Sequence, residues 1–201
     1  EQINQQIDKH QSVLIALPVN PSTDAICAAL VLRAVLESKE KEVVVTSANF
    51  KAPEKLSFIT SLDQIVPTIN RQTKYLVEVD TTKSPISDIS YNVLDNKLQI
   101  QLTPKSESIQ KEHIDFKEVK ANFDLIITLS ASELATLGKV HSDNHDLFEN
   151  TPIINIDHRP ENEQYGHINW VALQSASTCE LIVEQLFPIK KPSKGLATLL
   201  L

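Results

Sequence analysis

The sequence has only two cysteines, no long apolar run and no excess of basic residues, and each absence excludes a class of protein. Cys27 and Cys179 lie in apolar helical patterns, which excludes a disulfide scaffold and favours a reducing, cytoplasmic compartment. The apolar runs are too short to cross a bilayer, and no leader pattern opens the sequence, so we expect no membrane partner. A net charge of −7 disfavours duplex DNA as a partner, although a local positive cluster could still hold a small anion.

The sequence also contains no methionine, and it finishes on the apolar run GLATLLL. Both ends therefore have the form of cuts in a longer protein. A length of 201 residues suits one large domain, or one domain with an appendage. We expect one domain over 1–201, with a further part of the protein after Leu201.

Alternating strand and helix patterns predict an α/β fold. SVLIALP (12–18) is typical of a strand buried on both faces, DAICAALVLRAVLESK (24–39) of a helix, and EVVVTS (42–47) of the next strand. A strand, a helix and a strand within about forty residues form a βαβ unit, which implies a parallel sheet. Further buried strands are predicted in 123–130 and 151–158. We therefore expect a mainly parallel, doubly wound sheet with helices on both faces.

Residues 74–118 have a different pattern, in which apolar and polar residues alternate. This alternation predicts antiparallel strands, as an insertion or at an edge of the sheet. LDNKL (94–98) predicts a hairpin turn with Asp95 and Asn96 at its tip, and Asp80 is expected in another turn. The edge strands of this insertion could provide the contact of a homo-oligomer or an assembly module.

Polar residues follow the predicted strands of the sheet at their carboxyl ends, where doubly wound folds bind ligands. Asp24, Asp157 and His158 offer two carboxylates and an imidazole, which suit one Mn²⁺ or Mg²⁺ ion. Arg159 could bind a phosphate with two hydrogen bonds. The predicted helix start at Ser177–Thr178 could hold another phosphate oxygen.

Each of these residues also has an ordinary structural interpretation. Asp24 suits the first turn of a helix, Asp157 suits the cap of a turn, and Ser177 suits a helix cap. His141 and His145 are four residues apart, but their stretch is polar and acidic and has no evident third ligand. We therefore interpret them as solvated side chains rather than as a metal pair.

The stretch NIDHRPENEQYGHINWV (155–171), followed by SASTCELIVEQL, resembles the signature of the DHH-family phosphoesterases. That family includes single-strand DNA exonucleases and oligoribonuclease/pAp phosphatases. LPVNPSTDAICAALVL (17–32) is similar to the first motif of the family, and FDLIITLSASELATLG (123–138) is similar to the second. The resemblance covers nearly the whole chain except 74–118. It implies an α/β phosphoesterase domain with Mn²⁺ as its cofactor.

The resemblance breaks down at the positions where the family binds its metal ions. It places Pro18 at a histidine, Ser22 and Ser130 at aspartates, and Arg159 at the second histidine of the signature. Only Asp24, Asp157 and His158 remain. Two neighbouring cations need several carboxylates to offset their mutual repulsion, so these residues would hold at most one ion.

We therefore expect a degenerate phosphoesterase-like domain in which Asp157 and His158 are the remainder of a catalytic centre. Its expected ligand is a nucleotide or a short single-stranded oligonucleotide. The expected binding groups are Asn20, Ser22, Ser130, Arg159, Ser177 and Thr178. Two alternatives stay open, an active Mn²⁺-dependent hydrolase with a rearranged one-metal site and a non-catalytic scaffold. The resemblance also implies a C-terminal substrate-binding domain beyond Leu201, outside this sequence.

Overall fold

The structure is a computed structural model of the chain, and it describes residues 2–70, 73–106, 108–120 and 123–183. The chain divides into two units, of which the second is Arg71–Ala121 and the first is the remainder on either side. The second unit includes the stretch 74–118, for which the sequence predicts antiparallel strands.

Ten strands and five α-helices are described, and their bounds follow in chain order. The strands are β1 (Ser12–Leu17), β2 (Glu42–Ser47), β3 (Ile65–Val66), β4 (Thr73–Val79), β5 (Ile86–Leu94), β6 (Lys97–Pro104), β7 (Ile114–Lys120), β8 (Leu125–Leu129), β9 (Ile153–Asp157) and β10 (Ile168–Val171). The helices are α1 (Gln2–Lys9), α2 (Thr23–Ser38), α3 (Lys139–Ser142), α4 (His145–Asn150) and α5 (Thr178–Leu181). None of the described helices is long and apolar enough to span a membrane.

The central sheet of the first unit has six parallel strands in the order β10-β9-β8-β1-β2-β3. From β1 the chain winds outward through β2 to β3, whereas from β8 it winds the other way through β9 to β10. The direction of winding therefore reverses between β1 and β8. In such sheets the reversal leaves a crevice at the carboxyl ends of the two strands, where ligands bind. The predicted doubly wound α/β fold is confirmed.

Helices cover both faces of this sheet because its inner strands are apolar on both sides. On one face Ile15 and Ile127, which pair across β1 and β8, lie in a core with the apolar residues of α2. On the other face Leu14 and Ile126 lie in a second core with Phe148 of α4. The strands are thus held from both sides, which fixes the positions of their carboxyl ends.

The start of α2 lies directly beyond β1. Ser22 caps this helix, because its hydroxyl oxygen accepts a hydrogen bond from the backbone N–H of Ala25 at 3.1 Å. The sequence offers either Thr23 or Ser22 as the cap, and the structure assigns it to Ser22. The cap also places Asp24 in the first turn, where its carboxylate can reach the neighbouring loops.

The stretch ASELATLGKV (131–140), which follows β8, predicts a helix that Gly138 ends, but no α-helix forms before Gly138. Leu134–Leu137 forms a short 3₁₀ helix, and Gly138 then adopts a φ of 58° before α3 begins. A Cβ atom at Gly138 would lie 2.7 Å from Cγ2 of Val19, so only glycine fits this approach to the loop after β1. The stretch STCELIVEQLF (177–187) also predicts a helix, of which the structure describes the beginning as α5, and residues from 184 onward lie outside the described residues.

The second unit consists of two antiparallel ribbons, β4 with β7 and β5 with β6, and neither is an edge of the central sheet. Asp95 and Asn96 join β5 to β6 with φ values of 52° and 59°, as a two-residue hairpin turn requires. The Asp80 side chain accepts a hydrogen bond from the backbone N–H of Thr82 at 2.9 Å. Both predicted turns are confirmed.

Candidate functional site

A pocket of about 520 Å³ opens at the carboxyl ends of β1 and β8, where the winding of the sheet reverses. Asn20 and Ser130, which follow these strands, have positive φ values of 55° and 51°. Such backbone conformations cost free energy and cluster at functional sites. The side chains around the pocket are those of Pro18, Val19, Asn20, Ser22, Asp24, Ser130, Thr136, His158, Arg159 and Ala176.

The Asp157 carboxylate is fully buried at the end of β9, and the Arg159 guanidinium binds both of its oxygens. Nε of Arg159 donates to Oδ1 at 3.1 Å, and Nη2 donates to Oδ2 at 3.0 Å. Oδ1 also accepts from the backbone N–H of His158 at 2.8 Å, and Oδ2 accepts from the Asn162 amide at 3.0 Å. Burial raises the pKa of Asp157, but these hydrogen bonds outweigh it and bring the pKa below its usual value. Asp157 is therefore a firmly ionised, fully bonded carboxylate.

Arg159 also connects β9 to the end of β8. Its Nη2 donates to the backbone carbonyl of Ser130 at 2.6 Å, while the hydrogen bond to Asp157 raises the pKa of the guanidinium. The side chain is 41% exposed, and Nη1 makes no hydrogen bond within the described part of the chain. Its two N–H groups therefore remain for a ligand in the pocket.

The Asp24 carboxylate connects the start of α2 to the start of α5. Its two oxygens accept hydrogen bonds from the backbone N–H groups of Thr178 and Cys179, both at 2.9 Å. These are the N–H groups that the sequence suggests for a phosphate. An internal carboxylate therefore engages this helix start, and phosphate binding at Ser177 and Thr178 stays a prediction.

A chain of hydrogen bonds joins His158 to Ser130 through Thr178. Nδ1 of His158 and Oγ1 of Thr178 are 3.0 Å apart, and Oγ of Ser130 is 2.7 Å from the same oxygen. Nδ1 also lies 4.0 Å from Oδ2 of Asp24 and 3.8 Å from Oδ1 of Asp157. The structure thus brings the three predicted metal-ligand candidates together, although their metal-binding role stays a prediction.

The other predicted phosphate-binding residues differ in how far they reach the pocket. Asn20 and Ser22 are exposed on its wall, whereas Ser130 is 5% exposed and Thr178 is fully buried. Ser177 does not line the pocket, and its hydroxyl oxygen caps α5 by accepting from the N–H of Glu180 at 3.0 Å. Direct contact with a ligand is therefore open mainly to Asn20 and Ser22, together with Arg159.

Three asparagines behind the pocket have structural roles that the sequence did not assign. Asn155 donates from Nδ2 to Oδ1 of Asn162 at 2.6 Å and to Oδ1 of Asn169 at 3.0 Å. A Cβ at Gly166 would lie 2.9 Å from Cβ of Asn155, so glycine is required beside this network. The even spacing of the three asparagines, seven residues apart, is the signal in the sequence. Their network holds the loop after β9, and with it Arg159, in place.

Comparison with known families gives one clear match. The sequence model of the DHH family, N-terminal domain, matches residues 12–201. The chain belongs to the DHH family. No curated protein matches the sequence.

One solved relative in fold is an exopolyphosphatase-related protein from Bacteroides fragilis. It is 18% identical in sequence to this DHH-family chain, and the TM-score is 0.58. The match covers 90% of this chain and 40% of that protein, so this chain spans less than half of the length of the relative. At this identity the likeness shows the fold.

The residues of this DHH-family domain do not fit the pair of Mn²⁺ ions that the resemblance implies. No group of three or more histidines, cysteines, aspartates or glutamates is arranged to hold a metal ion among the residues described. Asp157 is engaged by Arg159 and Asn162, and Asp24 is engaged by the start of α5. Two carboxylates already bonded within the protein cannot offset the repulsion between two cations.

The two cysteines of the domain are partly buried and free of disulfides. Burial, together with the nearby Asp24 carboxylate, raises the pKa of the Cys27 thiol and raises that of Cys179 to about 12. Both thiols stay protonated at neutral pH, so neither is suited to act as a nucleophile.

Proposed function

We propose that this DHH-family domain binds the phosphate of a nucleotide or short single-stranded oligonucleotide without a metal pair, and that it hydrolyses phosphodiesters poorly. The observation that supports this function is the forked pairing of Arg159 with the buried Asp157 carboxylate. In the signature of the family that this chain resembles, the position of Arg159 is occupied by a histidine that binds metal. Here the same position supplies a permanent positive charge, which is bonded in place at the mouth of the pocket.

Phosphate binding follows from the groups that remain open around the pocket. Nη1 of Arg159 offers two N–H donors. The Ser22 hydroxyl uses only its oxygen to cap α2, so its proton remains available to a ligand. The Asn20 carboxamide offers a further donor. The charge of Asp157 is balanced by Arg159, and that of Asp24 is offset by two backbone N–H groups. An anion in the pocket would therefore contact hydrogen-bond donors, while both nearby carboxylates are already paired within the protein.

Poor hydrolysis follows from the state of the two residues that the resemblance makes catalytic. A phosphodiesterase of this type needs an activated water and several kcal/mol of charge stabilisation at the phosphate. Asp157 is buried and saturated with hydrogen bonds, and its lowered pKa makes it a weak base. Nδ1 of His158 is already bonded to Thr178. We therefore expect the pocket to bind a phosphate and to activate a nucleophile only poorly.

Calorimetry with AMP in the presence of EDTA tests metal-free binding. We expect binding to persist, and we expect Arg159→Lys to weaken it roughly tenfold because lysine keeps the charge but loses the fork. Arg33→Lys on α2 is the matched control, since Arg33 does not line the pocket. Loss of AMP binding on addition of EDTA would contradict the proposal.

Hydrolysis is tested with pAp and a short oligonucleotide in the presence of Mn²⁺. We expect rates close to the uncatalysed background. Clear Mn²⁺-dependent cleavage that disappears in Asp157→Ala would instead support the second candidate function, a hydrolase with a one-metal site. The approach of His158 Nδ1 to within 4.0 Å of both carboxylates favours this second candidate, and tight Mn²⁺ binding in calorimetry would support it further.

A scaffold is the third candidate, and the second unit favours it. Its ribbons expose large apolar side chains, including Tyr91 and Val93, which are 77% and 71% exposed. Such surfaces are common at contacts between protein chains, so a homo-oligomer remains part of the proposal. A defined oligomer that binds no nucleotide in the assays above would support the scaffold.

We keep the reducing cytoplasm as the proposed compartment.

A further inference from the structure

The hairpin of β5 and β6 in the second unit has one face that is entirely apolar and another that is mostly polar. Residues that pair directly across an antiparallel ribbon lie on the same face. The register places three apolar pairs on one face, which are Ile89 with Leu102, Tyr91 with Ile100, and Val93 with Leu98. The opposite face carries the pairs Asp88 with Thr103, Ser90 with Gln101, and Asn92 with Gln99. We call the first of these the apolar face.

The described part of the chain leaves the apolar face open to solvent. Five of its six side chains are between 48% and 77% exposed, and Leu102 is half-buried. The alternation of apolar and polar residues is typical of a ribbon that packs against another layer on one side. A two-stranded ribbon is marginally stable by itself, so covering this face would stabilise it.

We propose that two copies of this chain associate through their apolar faces, which pack against each other about a two-fold axis. The inference rests on the homo-oligomer of the proposed function and deepens it by naming the surface and its occupant. It does not depend on phosphate binding at the first unit.

The size of the apolar face suits a dimer. Its side chains present about 100 Å² of apolar surface each, so the six of them present roughly 600 Å². Two such faces packed together would bury roughly 1,200 Å² in total, which is the lower end of the range for stable, specific interfaces. An interface of this size is consistent with a dissociation constant on the order of 1 µM. The dimer should therefore dissociate on dilution and leave the face in solvent.

The distribution of charge favours a second copy as the occupant. Residues 71–121, which form the second unit, contain eight basic and eight acidic residues, so the net charge of −7 belongs to the first unit. Nucleic acids and anionic membranes bind surfaces with an excess of positive charge, which this unit does not have. A unit without net charge can approach another copy of itself without repulsion.

The arrangement of the three apolar pairs is self-complementary. A two-fold axis through the central pair, Tyr91 and Ile100, places each outer pair of one copy over the other outer pair of the second copy. Apolar side chains then contact apolar side chains at every position, while both polar faces stay in water. A contact of this kind uses the same surface on both copies, so association stops at the dimer.

Sedimentation of the full chain over a range of protein concentrations tests the association. We expect an equilibrium between monomer and dimer that high salt does not weaken, because ions do not screen an apolar contact. Ile100→Glu and Ile100→Lys each bring like charges together at the two-fold axis, so each variant alone should dimerise about a hundredfold more weakly. An equimolar mixture of the two variants should regain the dimer, because the facing charges are then opposite.

Gln101→Glu and Gln101→Lys are the matched controls, since Gln101 is exposed on the polar face of the same strand. Each should dimerise like the wild type, and mixing them should change nothing. Phe116→Ser changes an exposed side chain of the other ribbon and should also leave the dimer intact. Thermal unfolding of each variant confirms that it is folded before its association is compared.

The outcomes separate this inference from the proposed function. If the wild-type protein is monomeric at every concentration, the inference and the homo-oligomer both fail, whereas the calorimetry with AMP still decides phosphate binding. If the dimer persists in both Ile100 variants, or is lost in Phe116→Ser instead, the homo-oligomer stands but a different surface forms it. A monomer that binds phosphatidylcholine vesicles would assign the apolar face to a lipid surface and would overturn the inference.

Discussion

The central sheet and the ribbons of the second unit use similar apolar residues, but they bury them very differently. Ile127 in β8 is fully buried in the core between the central sheet and α2, whereas Tyr91 in β5 is 77% exposed. The sheet has six strands covered on both faces, while each ribbon has two strands. Two-stranded ribbons are marginally stable by themselves, because they bury too little apolar surface. A binding site at the edge of the sheet therefore has rigid support that the ribbons lack.

The same two regions also differ in how their buried polar groups are hydrogen-bonded. At the sheet edge, the buried side chains of Asp157, Asn155 and Asn162 all have hydrogen-bond partners. In the second unit, the hydroxyl of Ser84 is the one buried side-chain oxygen without a partner among the residues described. A fully bonded polar network holds its members in one arrangement. The site therefore depends on paired polar groups as much as on the cores that flank the sheet.

Truncating an apolar residue in each region should give the largest difference in the free energy of unfolding between the two regions. Ile127→Ala should lower the free energy of unfolding by about 3–4 kcal/mol, because it leaves a cavity between packed layers. Tyr91→Ala should change it by less than about 0.5 kcal/mol, because the side chain is already in solvent. Urea denaturation of both variants measures the difference. Equal losses would mean that the ribbon is buried by a contact of its own.

Removing the charge at the site should have the next largest effect. Arg159→Met leaves the Asp157 carboxylate buried without its cation, and we expect a loss of about 2–4 kcal/mol, reduced from a fully buried pair because the guanidinium is partly exposed. Lys39→Met, which removes the exposed pair with Asp8, is the control and should cost less than about 0.5 kcal/mol. If Asp157→Asn does not relieve the loss in the double variant, the two side chains are not coupled.

The smallest expected difference between the two regions is in how their buried and exposed carboxylates make stability depend on pH. The pKa values of Asp157 and Asp80 are both below the usual value, so each carboxylate contributes stability above the unfolded pKa of about 4 and loses it as the pH falls through its folded pKa. Asp80 is exposed in the second unit, where solvent screens its interactions. We expect Asp157→Asn to flatten the decline in stability below about pH 4 far more than Asp80→Asn does. Unfolding measured between pH 2.5 and 5 checks this, and equal flattening would count against it.

The elements that are predictable from the sequence are those with strong local signals. β1, β8 and β9 are short, continuous apolar runs, which are typical of strands buried on both faces, and α2 is a longer, mostly apolar helical stretch. Leu134–Leu137 has the apolar spacing of an α-helix but forms a short 3₁₀ helix that ends at Gly138. Local patterns therefore determine the type of the long elements better than that of the short ones.

The sequence by itself determined the family, the doubly wound sheet and the edge at which polar residues gather, because periodicity and motif spacing are properties of the chain alone. The tertiary structure decided what those residues do there. Asp24 binds the start of α5, 154 residues away in sequence, and Arg159 binds both Asp157 and the end of β8. These pairings depend on which loops meet in space and on which charged groups are buried away from water. Neither can be deduced from the spacing of residues along the chain.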